Sequence, residues 1–353
     1  MGRPTSTNVF NLLPGIAYCV VIALVSLATW RVYNPISSLM WAFIYSIIVA
    51  NVVDIPNLLL PGMGFCSSRL LKGTIVLLGL VTSAVIWFQV GLGVINALVI
   101  IFFAFFTSIW IGRKMGLSDK LSLLIGVGTS ICGASAIAAT APAIDAKEEE
   151  IGLAIAGITL FGLLSMFLYP FLFTSTSVCH WLCDNLNVYA LWVGSGVHET
   201  AQVIAAAGVL GQEAIRPAML IKSVRIFMIG PAVLAATFIY NRSGKETSQQ
   251  KARLVLPLFG VAFIVNSVIC ALLDANVQWL AALGLNWIYL KAMLSGTVLP
   301  FLLSTAFAGV GSKVKFRNIA KLGAKPFTVA ALIAVLSGVL ALILAVLVAP
   351  LIP

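Results

Sequence analysis

The sequence predicts an all-α polytopic membrane protein with about 10–11 transmembrane helices. Of its 353 residues, 61% are hydrophobic and only 9% are charged, and the mean hydropathy is +1.09. An ordinary soluble domain carries about 25% charged residues. The apolar residues also form continuous runs, without the alternation that is typical of the strands of a transmembrane barrel.

Eleven apolar segments approach the length of about 20 residues that a helix needs to cross a bilayer. Residues 1–12 are predicted to form an N-terminal cytoplasmic segment, and residues 13–353 a single transmembrane transporter domain. The segments lie at residues 13–30, 36–54, 72–88, 93–111, 121–142, 151–173, 190–210, 218–240, 254–273, 291–312 and 326–350.

Charges and tryptophans mark the ends of these segments. The stretch between Lys72 and Arg113 is uncharged and has room for two segments, joined at residues 89–93. An acidic run at 145–150 is expected to be a solvated loop and helix start. The tryptophans at 30, 41, 87 and 110 stand near segment ends, as expected for rings at the level of the lipid headgroups.

Basic residues predict the orientation in the membrane. They gather in the loops 241–253 and 313–325, whereas residues 174–189 and 274–290 contain no Lys or Arg. Because cytoplasmic loops are enriched in these residues, the N-terminus is predicted to be cytoplasmic and the C-terminus periplasmic. The net charge of +10 is explained in the same way, and no nucleic-acid partner is expected.

Residues 121–144 form an uncharged run that is rich in Gly, Ser, Thr and Ala. Such residues loosen a helix, so this run predicts an interrupted helix whose free N–H groups can bind an anion. A close helix–helix contact through small residues is the alternative. The candidate substrate-binding residues of this run are Thr129, Ser130, Cys132, Gly133 and Ser135.

A second polar cluster lies within the segment 190–210. His198, Glu199 and Gln202 are spaced so that they share one face of a helix. Ionisable groups are costly at membrane depth and usually face a cavity, so His198 and Gln202 are predicted to bind substrate. Glu199 and His198 are candidates for proton coupling. The alternative is that these side chains only bond each other or neighbouring helices.

Lys222 and Arg225 are three residues apart in the next segment. Arg225 lies deep in the apolar run, and the residues alone leave open whether it contacts an anion or a structural partner. For the expected transporter, Arg225 is a candidate substrate-binding residue that holds the negative charge. Lys222 is expected to extend to the membrane interface. The group Cys179, His180 and Cys183 supplies too few ligands to predict a metal site.

The two small-residue segments align with each other without a gap, Val127 matching Val193. Gly79 and Gly91 also have the spacing of Gly311 and Gly323. Chance similarity of small residues is one explanation. The other is the duplicated architecture of secondary transporters, in which the binding site lies where interrupted helices meet.

Three motifs resemble the YeiH family of bacterial inner-membrane proteins, which carries the provisional label of sulfate exporter family. They are GVGTSICGASAIAATAPAI at 126–144, VGSGVHETAQVIAAAG at 193–208 and KSVRIFMIGPAV at 222–233, with a shorter LGAKP at 322–326. The family is similar to bile acid:sodium symporter-like transporters. The resemblance implies inverted repeats, two broken helices that cross, and transport of a small sulfur oxyanion or sulfonate.

The sequence contains no P-loop, zinc-peptidase, nucleophile-elbow or haem motif, so neither enzymatic activity nor a cofactor is expected. We expect a secondary transporter that exports a small sulfur-containing anion across the inner membrane by alternating access. An anion-permeable channel and a non-transporting scaffold or sensor are the alternatives. The sequence leaves open the coupling ion (H⁺ or Na⁺), homo-oligomerisation, and whether segments 121–142 and 190–210 cross fully or re-enter.

Overall fold

The computed structural model describes residues 11–33, 37–85, 91–175, 185–242, 258–319 and 323–351, which contain helices and no strand. Seven helical stretches of these residues are long and apolar enough to cross a membrane, and two of them, Gln212–Arg242 and Trp287–Gly311, each combine two of the helices named below. The predicted class, an all-α polytopic membrane protein, is confirmed. The Cys179, His180 and Cys183 group lies outside the described residues.

The helices of the described residues range from 4 to 28 residues in length. In chain order they are α1 (Leu13–Val32), α2 (Ser38–Val52), α3 (Leu60–Phe65), α4 (Leu71–Gly79), α5 (Gly93–Lys114), α6 (Asp119–Ser130), α7 (Ala134–Thr140), α8 (Glu148–Ser175), α9 (Leu186–Gly196), α10 (Thr200–Ala207), α11 (Gln212–Phe227), α12 (Ile229–Arg242), α13 (Leu258–Ala275), α14 (Val277–Ala282), α15 (Trp287–Met293), α16 (Leu299–Gly311), α17 (Phe316–Ile319) and α18 (Ala324–Val348). Short 3₁₀ turns follow α7, α10 and α18, and π turns at Cys66–Leu70 and Leu294–Val298 join α3 to α4 and α15 to α16.

The chain folds into two compact units. The first takes its described residues from the ranges Met1–Val85 and Phe259–Phe316, and the second from Ile86–Leu258 and Arg317–Pro353. The first unit therefore contains α1–α4 and α13–α16. The second contains α5–α12 and α18, and all of the candidate site residues belong to it.

The predicted segment 72–88 is wrong in its position. The helix begins at Leu60, passes through the π turn and ends at Gly79. Arg69 and Lys72 lower the local hydropathy, but they do not interrupt the helical backbone. Hydropathy therefore placed the segment too late in the chain.

The segments 121–142 and 190–210 are each interrupted, as the small residues predicted. The first divides into α6 and α7, and the second into α9 and α10. Whether these pairs of half-helices cross the membrane or re-enter stays a prediction.

Close backbone contact holds α1 against α3 in the first unit. A Cβ atom added to Gly15 would lie 2.7 Å from the Cα atom of Gly62, and one added to Gly62 would lie 2.6 Å from the Cα atom of Gly15. Real Cβ atoms do not approach backbone so closely, so this helix pair requires glycine at both positions.

We predict that Gly15→Ala destabilises the protein by about 1–3 kcal/mol, because the added methyl group forces the two backbones apart. The measurement is the thermal unfolding midpoint (Tm) of the purified full chain in detergent. Gly64→Ala in α3 is the control, since no atom lies within 4 Å of a Cβ added there. Equal Tm values for the two variants would contradict the contact.

Candidate functional site

The first interruption of the second unit depends on a single glycine. After α6 ends at Ser130, Ile131 takes φ −113° and ψ −92°, and Gly133 takes φ +73° and ψ −130° before α7 begins. Only glycine adopts such a conformation without strain. A Cβ atom at this position would also lie 2.5 Å from Cγ of Glu199. Gly133 therefore both forms the break and makes room for a carboxylate from the second interruption.

The second interruption is closed by a reciprocal capping box. Val197 and Glu199 are extended, and α10 then begins at Thr200. The Glu199 N–H donates to Gln202 Oε1 at 3.0 Å, and the Gln202 N–H donates to the Glu199 carboxylate. This arrangement satisfies two N–H groups that the helix start would otherwise leave unpaired. Gly162 of α8 leaves space for the Gln202 side chain, because any larger residue would overlap it.

The two interruptions occur at equivalent positions of the sequence alignment. Sixty-six residues separate Ser130 from Gly196, where the first half-helices end, and Ala134 from Thr200, where the second half-helices begin. The same spacing relates Val127 to Val193. The gapless match between the two segments therefore coincides with matched helix ends.

Lys222 of α11 joins the two interruptions. Its ammonium group donates hydrogen bonds to the carbonyl oxygens of Ile131 at 2.9 Å, Val197 at 3.1 Å and His198. The side chain is fully buried. The expectation that Lys222 extends to the membrane interface is therefore wrong, because the interrupted helices offer the ammonium carbonyl oxygens inside the protein.

Arg225, one helical turn further on, completes the junction. Its Nε donates to the Ser130 carbonyl at 3.0 Å and its Nη2 to the Thr129 carbonyl at 2.5 Å. Its Nη1 donates to the carbonyls of Ser195 at 2.6 Å and Val197 at 3.0 Å, and to a third, of Gly194, at 3.4 Å. These bonds supply structural partners for Arg225, and its contact with an anion stays a prediction.

Together the two cations bind the carbonyl groups that the breaks leave without helical partners. Thr129 and Ser195 are equivalent in the alignment, and Arg225 binds the carbonyls of both. Ile131 and Val197 are likewise equivalent, and Lys222 binds both. An unpaired buried carbonyl costs about 1–3 kcal/mol, and more in a bilayer. Lys222 and Arg225 therefore act as shared C-terminal caps for α6 and α9.

The opposite side of the breaks is more open. Ser135, near the start of α7, is exposed, whereas Glu199 and Thr200 at the start of α10 are partly exposed. Thr159 of α8 lies beside them, with its hydroxyl 3.4 Å from Glu199 Oε1. The C-terminal ends of α6 and α9 are thus sealed by cations, while the N-terminal ends of α7 and α10 carry hydroxyl groups and a carboxylate.

The other predicted site residues are buried around this junction. Thr129, Ser130 and Cys132 are buried, and the Ser130 hydroxyl donates to the Val127 carbonyl of its own helix at 3.2 Å. His198 is only 1% exposed, and its Nδ1 atom has no hydrogen-bond partner. A buried polar atom without a partner is unusual and points to a function or a bound group.

Aromatic residues fix the position of α9. The rings of Tyr169 and Trp192 stack with centroids 4.1 Å apart, and Trp192 Nε1 donates to the Gly338 carbonyl of α18 at 3.0 Å. The Tyr189 hydroxyl donates to the Ala206 carbonyl near the end of α10 at 2.6 Å. These contacts hold α9 against α8 and α18 and join it to α10.

Sequence reasoning missed the central role of Lys222 and the contribution of Thr159. For Lys222 a signal was present, because its spacing from Arg225 places both cations on one face of α11. Thr159 carries no comparable signal, since a single threonine in an apolar helix usually bonds its own backbone.

Comparisons with known proteins give one consistent result. Residues 14–330 match the model of a family described as conserved hypothetical protein 698. A UPF0324 membrane protein of Pseudomonas aeruginosa is 31% identical over 344 residues, covering 94% of this chain and 92% of the relative. A UPF0324 membrane protein of Corynebacterium glutamicum is 30% identical, covering 90% and 87%. The UPF0324 inner membrane protein YeiH of Salmonella typhi is 29% identical, covering 93% and 92%.

We predict that Gly133→Ala lowers the Tm of the purified protein, because alanine both strains the backbone at φ +73° and overlaps Glu199. A backbone residue forced into such a region costs about 1–3 kcal/mol before the overlap is counted.

Gly152→Ala in α8 is the matched control. A Cβ added there meets no atom within 4 Å, and the substitution is expected to stabilise the helix by about 0.5–1 kcal/mol. A Gly133→Ala protein as stable as the Gly152→Ala protein would refute the requirement for glycine at the first break.

Proposed function

This chain belongs to the conserved hypothetical protein 698 family of UPF0324 membrane proteins, and we propose that it is a secondary transporter for a small anion. The observation that carries this proposal is the pair of equivalent helix breaks joined by buried cations and open at their N-terminal ends. Interrupted helices near the membrane midplane are how many secondary transporters build a solute site.

A negative solute suits the charge of this junction. Lys222 and Arg225 place two buried positive charges behind the breaks. The N-terminal ends of helices also attract negative charge. The hydroxyl groups of Ser135 and Thr200 lie on the open side, where they would donate hydrogen bonds to an oxyanion. The buried His198 ring, with its unpartnered Nδ1, is the side chain we assign to solute contact when the site rearranges.

Sulfate, sulfite or a sulfonate is the proposed solute class, and export across the inner membrane the proposed direction. The support is the resemblance of the three motifs to the YeiH family with its sulfate exporter label. The name of the Salmonella relative, an inner membrane protein, agrees with that location. The N-terminus is proposed to be cytoplasmic and the C-terminus periplasmic, from the distribution of basic residues.

Arg225 takes a supporting role in this mechanism. Its hydrogen bonds go to main-chain carbonyls, so it holds the breaks together and acts on the anion through its charge. Thr129 and Ser130 contribute their carbonyl groups to the same junction. Cys132 and Gln202 remain proposed solute contacts.

Glu199 is proposed to couple proton and anion movement. Its carboxylate already lies at the start of α10 and beside Gly133, where a solute anion would be attracted. Two negative charges at one place repel each other, so binding of the anion favours the protonated form of Glu199. Each anion that binds would therefore be accompanied by one proton on Glu199.

We predict that the purified protein in proteoliposomes shows saturable uptake of labelled sulfate or sulfite, and that His198→Ala lowers it about tenfold or more. A lost hydrogen bond to a charged group is worth about 1.5–3 kcal/mol, which corresponds to a factor of ten or greater. Ser165→Ala is the matched control, because this buried hydroxyl of α8 bonds only within its own helix at 2.9 Å.

Thermal-shift measurements with sulfate, sulfite, thiosulfate, taurine and carboxylates identify the bound anion. Non-saturating conductance in a planar bilayer would instead indicate a channel. Absence of any anion-dependent shift in Tm, together with absence of flux, would leave only a scaffold or sensor.

We predict that Glu199→Gln uncouples transport from protons. Anion binding persists or tightens, because a negative charge is removed from the site, but uptake no longer responds to an imposed pH gradient. The measurement is uptake with and without the gradient. Glu213→Gln is the control, since Glu213 is an exposed acid at the start of α11 that pairs with Arg216 at 3.2 Å. Gradient-driven uptake by the Glu199→Gln protein would contradict this role.

A further inference from the structure

The three carbonyl oxygens around Lys222 form a small enclosed group, called the carbonyl cage below. Its members are the oxygens of Ile131, Val197 and His198, and the ammonium lies within hydrogen-bond distance of each. An ammonium group has three N–H donors and no acceptor. Donors and carbonyl oxygens therefore match one to one.

Such a group of oxygens is a site for a cation in general, and not for lysine in particular. Backbone carbonyls replace the hydration shell of alkali cations in ion-selective pores. In transporters with broken helices, unwound carbonyls and the C-terminal ends of half-helices coordinate the coupling Na⁺. The carbonyl cage combines both features, because its oxygens come from the two breaks that follow the C-terminal ends of α6 and α9.

We propose that the carbonyl cage is a monovalent-cation site whose permanent occupant is the ammonium group of Lys222. The tethered charge holds together the two breaks that a free ion would otherwise join. Sodium has no place to bind in the occupied cage, so anion transport by this protein does not use Na⁺ at this position. That last clause rests on the proposed transport function, whereas the identity of the cage as a cation site does not.

Burial and tethering explain why the occupant does not leave. Lys222 is 0% exposed, and it shares one face of α11 with Arg225, which is also 0% exposed. Both side chains bind the Val197 carbonyl. One set of hydrogen bonds therefore links α11 to the ends of α6 and α9. A free ion could leave for solvent and break this link, whereas the covalently attached ammonium of Lys222 keeps it.

Lys222→Ala vacates the cage and removes a fragment that corresponds to n-propylammonium. The experiment measures the Tm of the purified full-length variant in choline chloride, and then with added n-propylammonium chloride or NaCl at equal ionic strength. We expect the Tm to fall in choline and to rise again, in a saturable manner, with n-propylammonium. A smaller rise with Na⁺ is expected, because the vacated cage then admits an ion.

Three controls separate the cage from general effects of salt and solvent. Neutral n-propanol has the shape of the missing fragment without its charge, and it is expected to give no rise. Lys222→Met fills the space with an uncharged chain, so its Tm is expected to be low and unresponsive to either cation. Ser223→Ala changes the adjacent residue, whose hydroxyl bonds the Met219 carbonyl of its own helix at 2.7 Å, and should behave as the wild type.

The wild-type protein provides a measurement that does not depend on any variant. Its Tm is expected to be the same in choline chloride and NaCl, and a sodium-specific increase would overturn the proposal. A folded Lys222→Ala protein that is as stable as wild type, or that ignores n-propylammonium, would also overturn it. If this variant is recovered only in buffers containing n-propylammonium, the proposal is supported, and recovery in neither buffer counts against it.

All of these readouts are unfolding temperatures measured without a solute anion. A failure of the transport assays therefore leaves them unaffected, and their failure leaves the anion transport proposal standing.

Discussion

The need to satisfy main-chain carbonyls inside a membrane governs the second unit of this protein. Interrupting a helix leaves carbonyl groups without partners, and hydrocarbon offers them no water. Here every carbonyl group in the last turn of α6 accepts a hydrogen bond. The Val127 and Gly128 carbonyls accept from the N–H groups of Ile131 and Gly133. The next three carbonyls accept from Arg225 and Lys222. Two broken helices are tolerated because one helix supplies the donors for both.

The residues that hold the two breaks together differ from the residues on the exposed side of the breaks. Lys222 and Arg225 are bound to carbonyl oxygens and shielded from the exterior. The exposed or partly exposed groups at the other ends of the breaks are uncharged hydroxyls and one carboxylate. The positive charges are therefore buried and fixed in position, while the more exposed side chains are those of Ser135, Thr200 and Glu199. Under the proposed function, a site organised in this way attracts an anion through this positive charge and does not bind it as an ion pair.

Much of this arrangement follows from the sequence. Composition determines the membrane class, and the runs of Gly, Ser, Thr and Ala locate both breaks to within a few residues. Sequence could not identify which groups cap the breaks, because the bonds from Lys222 span 91 residues to Ile131 and 24 to His198. It also misplaced the helix that ends at Gly79, since Arg69 and Lys72 reduce hydropathy without ending a helix. Local sequence patterns predict the membrane segments and their breaks, whereas they do not indicate which distant side chain bonds a given main-chain carbonyl.

The equality of the two breaks does not extend to the helices that follow them. Thr159 and Arg225 are also 66 residues apart, yet one supplies a hydroxyl beside Glu199 and the other a guanidinium among carbonyls. Equivalent positions of the alignment thus carry unequal side-chain chemistry. The starts of α7 and α10 present an acid and hydroxyl groups, whereas the ends of α6 and α9 present main chain bound by two cations. The two sides of the breaks therefore differ in charge and hydrogen-bonding chemistry, even though the helices stop and resume at matched positions of the alignment.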